Sequence, residues 1–201
     1  MNKIFEYLNE LYPNPKCELN YNKDYELLIA IVLSAQTTDK RVNKVTEILF
    51  NKYPTLNDLS SASIDDIENI IKEIGTFRKK ATYVKEIAKS INDVGGIVPN
   101  DRKFLESLNG VGRKTTNVFL SEIYNEPTIA VDTHVARVSK RLKLANINDD
   151  VNTIEKKLMK KIPKDRWSRT HHQMVLFGRY KCKAIKPECD KCKLKDKCKK
   201  V

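Results

Sequence analysis

Four cysteines, Cys182, Cys189, Cys192 and Cys198, fall within 17 residues in the spacing C-x6-C-x2-C-x5-C. Thiols set this densely have to be accounted for either by disulfides or by a shared metal centre. The segment Met1–Glu6 has no apolar signal segment or cleavage pattern, and no apolar run approaches the roughly 18–20 residues of a membrane span. A cytoplasmic protein is expected, and disulfides are rare in that reducing compartment. Four soft thiolates suit either tetrahedral zinc or a cubane iron–sulfur cluster. Only Cys189 and Cys192 make a C-x2-C knuckle, where zinc sites usually pair two, and ferredoxin spacing does not match either, so the spacing leaves both metals open. The fifth cysteine, Cys17, reads as an ordinary partly buried thiol.

The formal net charge of the 201-residue chain is +12, and residues 181–201 hold nine lysines against three acids. An excess of this size favours a polyanionic partner, because each cation docked on a phosphate releases counterions. Nucleic acid fits, but a membrane surface or ribosomal RNA would account for charge alone equally well. A lysine-rich tail is often merely solvated. The four cysteines in this one argue for order.

Apolar residues recur at three- and four-residue spacing over 24–34, 40–53, 63–74, 78–93 and 112–123, and further helices are expected at 132–142, 152–162 and 164–180. Leu27–Leu33 is apolar throughout and reads as a core helix. Ser63-Ile-Asp-Asp66 resembles a capped helix start, and Gly75 and Gly95–Gly96 follow periodic stretches as stop signals. No stretch alternates long enough to make a strand, and no repeat is present. The expected class is all-α.

The segment Phe104–Val118 contains a helix end, a loop with Gly110 and Gly112 around Val111, and a new helix from Arg113. Two glycines flanking an apolar residue allow a tight turn whose N–H groups, with the following helix start, form a phosphate nest. This is the logic of a helix–hairpin–helix, which grips DNA backbone without reading sequence. Lys114 falls in the first turn of that helix, where the dipole disfavours a cation, and partial burial would disfavour the charged amine further. A free amine there would be a nucleophile for an aldehyde-type carbon; a phosphate-contacting lysine is the plainer alternative. Asp132, in Pro127–His134, stands where a helix N-cap is expected.

Taken together, Leu27–Asp39, Leu108–Lys114, Pro127–His134 and the cysteine tail lie in an order and spacing that resembles the endonuclease III family of the helix–hairpin–helix DNA glycosylase superfamily. The resemblance covers nearly the whole chain. It implies two helical domains with an active-site cleft between them: a six-helix domain over 17–126 that includes the hairpin at about 102–121, and a cluster domain of 1–16 plus 127–201. It also implies a [4Fe-4S] cluster on Cys182, Cys189, Cys192 and Cys198 rather than zinc. The implied activity is base-excision repair, a bifunctional glycosylase and abasic-site lyase acting as a monomer on double-stranded DNA with damaged pyrimidines or abasic sites.

In that family's chemistry the damaged base is flipped out of the duplex. Lys114 would attack the sugar and form a Schiff base, and Asp132 would stabilise the developing positive charge. Gln36 would fill the hole left by the flipped nucleotide, and Gly110, Val111, Gly112 and Arg113 would hold the backbone. The chain departs from the family pattern in two places. Thr76 stands where the family often has an apolar wedge, with Phe77 beside it as a candidate substitute, and Asn109 replaces a common hairpin proline. His134, His171 and His172 match positions read as structural or phosphate-facing, and Trp167 reads as core. Mismatch glycosylases of the same superfamily would lack the hairpin lysine. A non-catalytic iron–sulfur DNA-binding protein would keep the charge, hairpin and cluster but make the pairing of Lys114 with Asp132 accidental.

Overall fold

A computed structural model describes residues 1–199, all helices and loops, with no strand among them. In chain order the helices are α1 (Asn2–Leu11), α2 (Asp24–Leu33), α3 (Asp39–Lys52), α4 (Leu56–Ser61), α5 (Ile64–Ile71), α6 (Phe77–Asp93), α7 (Arg102–Ser107), α8 (Arg113–Tyr124), α9 (Thr133–Arg141), α10 (Val151–Lys161) and α11 (Trp167–Leu176). A short 3₁₀ turn precedes α11 and a turn of π-helix, Phe177–Lys181, continues it. None of these helices is long and apolar enough to cross a membrane. The chain forms two compact units, Glu18–Tyr124 and a second made of Met1–Cys17 with Asn125–Val201.

The first unit is organised around α2. Every residue from Leu27 to Leu33 is buried, five of them completely, because a helix without a polar face must be enclosed on all sides. Helices α3, α6 and α8 pack on it. They are amphipathic, turning Val42, Val45 and Leu49, then Ala81, Val84 and Ala88, then Phe119 and Leu120 inward. At its start the buried Glu26 carboxylate accepts the N–H groups of Asn22 and Lys23, satisfying donors that would otherwise lack partners.

This unit holds seven helices rather than the expected six. The extra one, the six-residue α4, is set by the capping box of Thr55 and Asp58 and lies against α6. Ser63 caps α5 as expected, its hydroxyl accepting the Asp66 N–H. Gly75, expected as a stop, is not the left-handed residue in its turn; that conformation is taken by Thr76 at φ 56°.

In the second unit α1, absent from the periodicity reading, supplies Phe5 and Leu8 to a core shared with Val135 and Val138 of α9, Leu158 of α10 and Met174 of α11. His171 and His172 are buried, their rings edge-to-face at 4.9 Å, so they belong to the interior of this unit. Trp167 is half-buried against the same core, and its indole N–H donates to the Ile162 carbonyl at 2.8 Å.

Truncating the centre of α2 removes contacts that no neighbour can close over. Leu28→Ala is expected to lower unfolding free energy by about 3 kcal/mol, against under about 0.5 kcal/mol for the half-exposed Ile48→Ala, as read from urea denaturation midpoints.

Candidate active site

The hairpin is assembled from α7, capped by the Asp101 carboxylate accepting from Lys103 and Phe104 N–H, and α8. Between them Gly110 adopts φ 84°. A Cβ there would lie 2.5 Å from the Tyr83 ring of α6, so glycine answers two demands at once, the left-handed backbone and the close ring beneath it. Asn109, in the place of a proline, donates from its side-chain amide to Glu86 at 3.0 Å, a second tie to α6.

Val111 differs from its expected part. Its side chain is buried and its N–H donates to the Leu108 carbonyl at 3.0 Å. The group counted toward the phosphate nest is therefore consumed by the turn itself, and Val111 serves as the anchor that plugs the hairpin into the unit. Gly112, Arg113 and Lys114 are exposed and open α8, which leaves the helix start as the anion-facing element. Lys114 is thus exposed rather than partly buried.

Gln36 is exposed in the turn between α2 and α3, at φ 59°. Thr76 is likewise exposed and left-handed at the start of α6, while Phe77 is half-buried with the Arg78 guanidinium 5.1 Å from its ring centre. Two non-glycine residues in this conformation mark strained loops. The sequence offers no signal for either.

Asp132 caps α9, its Oδ1 accepting the Val135 N–H at 2.7 Å, so the plain N-cap reading of this residue holds in the structure. Lys114 belongs to the unit Glu18–Tyr124 and Asp132 to the other. One turn along α9, Arg137 donates to the carbonyls of Gly178 at 2.6 Å and Cys182 at 3.0 Å, and approaches the His134 ring at 3.2 Å. Gly178 is needed here, since a Cβ would lie 2.8 Å from that of His134.

The cysteine segment is a chain of tight turns. The Cys192 N–H donates to Cys189 O, Lys195 N–H to Cys192 O, and Cys198 N–H to Lys195 O, with Leu194 completely buried beneath them. All four thiols line one cavity of about 50 Å³, together with Tyr7, Leu142 and Phe177. The buried Arg141 guanidinium donates to Cys182 O at 3.2 Å, Cys182 Sγ at 3.3 Å and Lys183 O at 2.7 Å. Burial pushes the Cys192 and Cys198 thiols up from their ordinary range. Among the described residues no three His, Cys, Asp or Glu side chains converge as a site for a single metal ion. Arg137, Arg141 and Tyr7 were missed as part of this region. The two arginines four apart on α9 were the available signal, but nothing local ties them to cysteines some forty residues on.

Comparison with known proteins places this geometry. Residues 29–164 match the HhH-GPD superfamily base excision DNA repair proteins. Endonuclease III of Bacillus subtilis is 46% identical over 192 residues, 95% of this chain and 88% of that protein. The chain belongs to the endonuclease III family. It is a base-excision repair enzyme, a DNA glycosylase with abasic-site lyase activity.

Two solved structures of the family superpose closely. A non-covalent endonuclease III–DNA complex gives a TM-score of 0.95 at 47% identity, covering 98% of this chain and 93% of that one. A trapped endonuclease III–DNA covalent intermediate gives 0.93 at 47% identity, covering 98% and 95%. The HhH-GPD match contains the Gln36 turn, the hairpin and Asp132 but ends before Cys182.

Gly110→Ala meets both the left-handed φ and the Tyr83 ring. It is expected to cost about 1–3 kcal/mol of stability, followed by thermal melting. Adding Tyr83→Ala is expected to return only part of the loss, since about 1–2 kcal/mol of backbone strain stays.

Proposed function

We propose that this enzyme removes damaged pyrimidines from double-stranded DNA and cuts the resulting abasic site through a Schiff base on Lys114. The observation that carries the reading is the place of that amine: exposed, in the first turn of α8, directly after the Gly110–Gly112 turn. An element suited to gripping phosphate thereby presents a nucleophile to the sugar alongside it. A covalent DNA intermediate of a relative 47% identical to this chain supports the same chemistry.

In this mechanism the Lys114 nitrogen bonds to the anomeric carbon, and the bond from that carbon to the base breaks, with the base leaving as its protonated form. Asp132 stabilises the positive charge that develops on the sugar and assists in taking the lysine proton. Opening of the sugar gives the iminium, which acidifies the adjacent carbon. Loss of that proton expels the 3′ phosphate, and hydrolysis frees the lysine. Gln36 occupies the space of the flipped nucleotide, and the N–H groups opening α8, with Arg113, hold the backbone. The enzyme works as a monomer in the cytoplasm, associated with the nucleoid through its DNA.

Cys182, Cys189, Cys192 and Cys198 would hold a [4Fe-4S] cluster. The fit rests on the donor set: four cysteine thiols line one largely apolar-walled cavity, and four soft thiolates are the ligand set of a cubane iron–sulfur cluster. The cluster would fix the geometry of the loop. Arg141, donating to Cys182 Sγ, would offset thiolate charge, and the surrounding lysines would turn a basic face to DNA.

Single-turnover base release from a duplex carrying a 5,6-saturated pyrimidine tests the residue roles. Lys114→Ala is expected to fall to background. Asp132→Asn keeps the helix cap, because asparagine caps as well as aspartate, and is expected to slow release about a hundredfold through loss of charge alone. Full activity in Lys114→Ala contradicts the mechanism. For the cluster, Cys189→Ala is expected to abolish the broad visible absorption of the purified protein; a colourless wild-type protein with one bound zinc would contradict it.

A further inference from the structure

Lys80 stands in the basic run Arg78-Lys79-Lys80, yet it is only 4% exposed. Its ammonium donates to the Leu33 carbonyl at 3.0 Å and to the Ala35 carbonyl at 2.6 Å. Burial pulls it below the usual lysine range. A cation is costly in such a place, and what offsets the cost is the end of α2, where carbonyls lack helical partners and the dipole favours positive charge.

The carbonyls it holds are informative. Ala35 O belongs to the peptide leading into Gln36, the left-handed residue assigned above to the vacated base position. The Lys80 backbone N–H meanwhile donates to the carbonyl of Thr76 at 3.1 Å, the other strained loop residue and the position matching the family's wedge. One residue therefore ties down both loops, through its side chain and its main chain respectively.

We infer that Lys80 is a positioning residue for nucleotide flipping: its buried ammonium locks the Ala35–Gln36 peptide so that Gln36 is already set in its left-handed conformation before DNA binds. It touches no reacting atom. It acts by removing the ordering cost that a mobile Gln36 turn would add on binding. The inference rests on the role given to Gln36 under the proposed function.

The test is a double-mutant cycle of Lys80→Met and Gln36→Ala, read by single-turnover base release from a duplex with a 5,6-saturated pyrimidine, with hydrogen exchange at the Thr37 amide, which donates to Ser34 O in the same turn. Lys80→Met is expected to slow release about tenfold, to speed Thr37 exchange, and to add nothing further once Gln36 is alanine. Losses that multiply in the double variant, or unchanged release in folded Lys80→Met, overturn the inference. If Gln36→Ala itself is as fast as wild type, the role of Gln36 fails instead. Lys80 is then judged on Thr37 exchange alone, which must speed for the locking to stand. Should Lys80→Met not fold, Lys80→Gln enters the cycle under the same criteria.

Discussion

A helix with no polar face has to be wrapped, and in the unit Glu18–Tyr124 the wrapping of α2 sets the position of everything functional around it. Because Leu27–Leu33 are buried, α3, α6 and α8 are each fixed by the face they turn to α2. The starts and ends of those helices then fall where their loops carry Gln36, Thr76 and the Gly110–Lys114 hairpin. The ends of α2 are where its enclosure is hardest to satisfy, since backbone groups there have no helical partner. Glu26 answers at one end and Lys80 at the other. The second answer extends beyond the helix, because the carbonyl of Ala35 is held together with that of Leu33.

The other unit solves a different problem. Among the described residues of its C-terminal segment, 181–199, only Leu194 is buried while Ile185 is exposed, so the segment cannot order itself by burial. Its order comes from the tight turns between cysteines, from the Arg137 and Arg141 guanidinium groups that gather the carbonyls of 178, 182 and 183, and from whatever the four thiols bind in common. Both arginines and Asp132 sit on or at the start of α9. One short helix thus carries the capping carboxylate at its N-terminus and the anchors of the cysteine loop along its length, which gives the loop a rigid connection to that carboxylate.

Features that depend on residue type and spacing were legible in the sequence: the all-helical class, the buried α2, the cap at Ser63, the hairpin glycines, the cap at Asp132 and the set of cysteines. Those that depend on what lies across the fold were not. The six residues of α4 are too few for periodicity to register, although the Thr55-x-x-Asp58 box was there to be found. Val111 looked like part of a nest because its flanking glycines do; only the closed turn shows its N–H already bonded to Leu108. Lys80 is the clearest case, since in sequence it is the third cation of a solvated-looking run. It becomes a buried ammonium only because α6 passes the open end of α2. Left-handed Gln36 and Thr76 carry no local mark, because neither is a residue that prefers that conformation.

In the proposed mechanism one amine, that of Lys114 on the first turn of α8, forms the covalent bond to DNA. This step is tested most directly by borohydride reduction of the enzyme on an abasic-site duplex, followed by peptide mass mapping of the adduct. A single trapped species whose added mass maps to Lys114 is expected. An adduct on another lysine of the hairpin or the cysteine loop, or none with active enzyme, would contradict it.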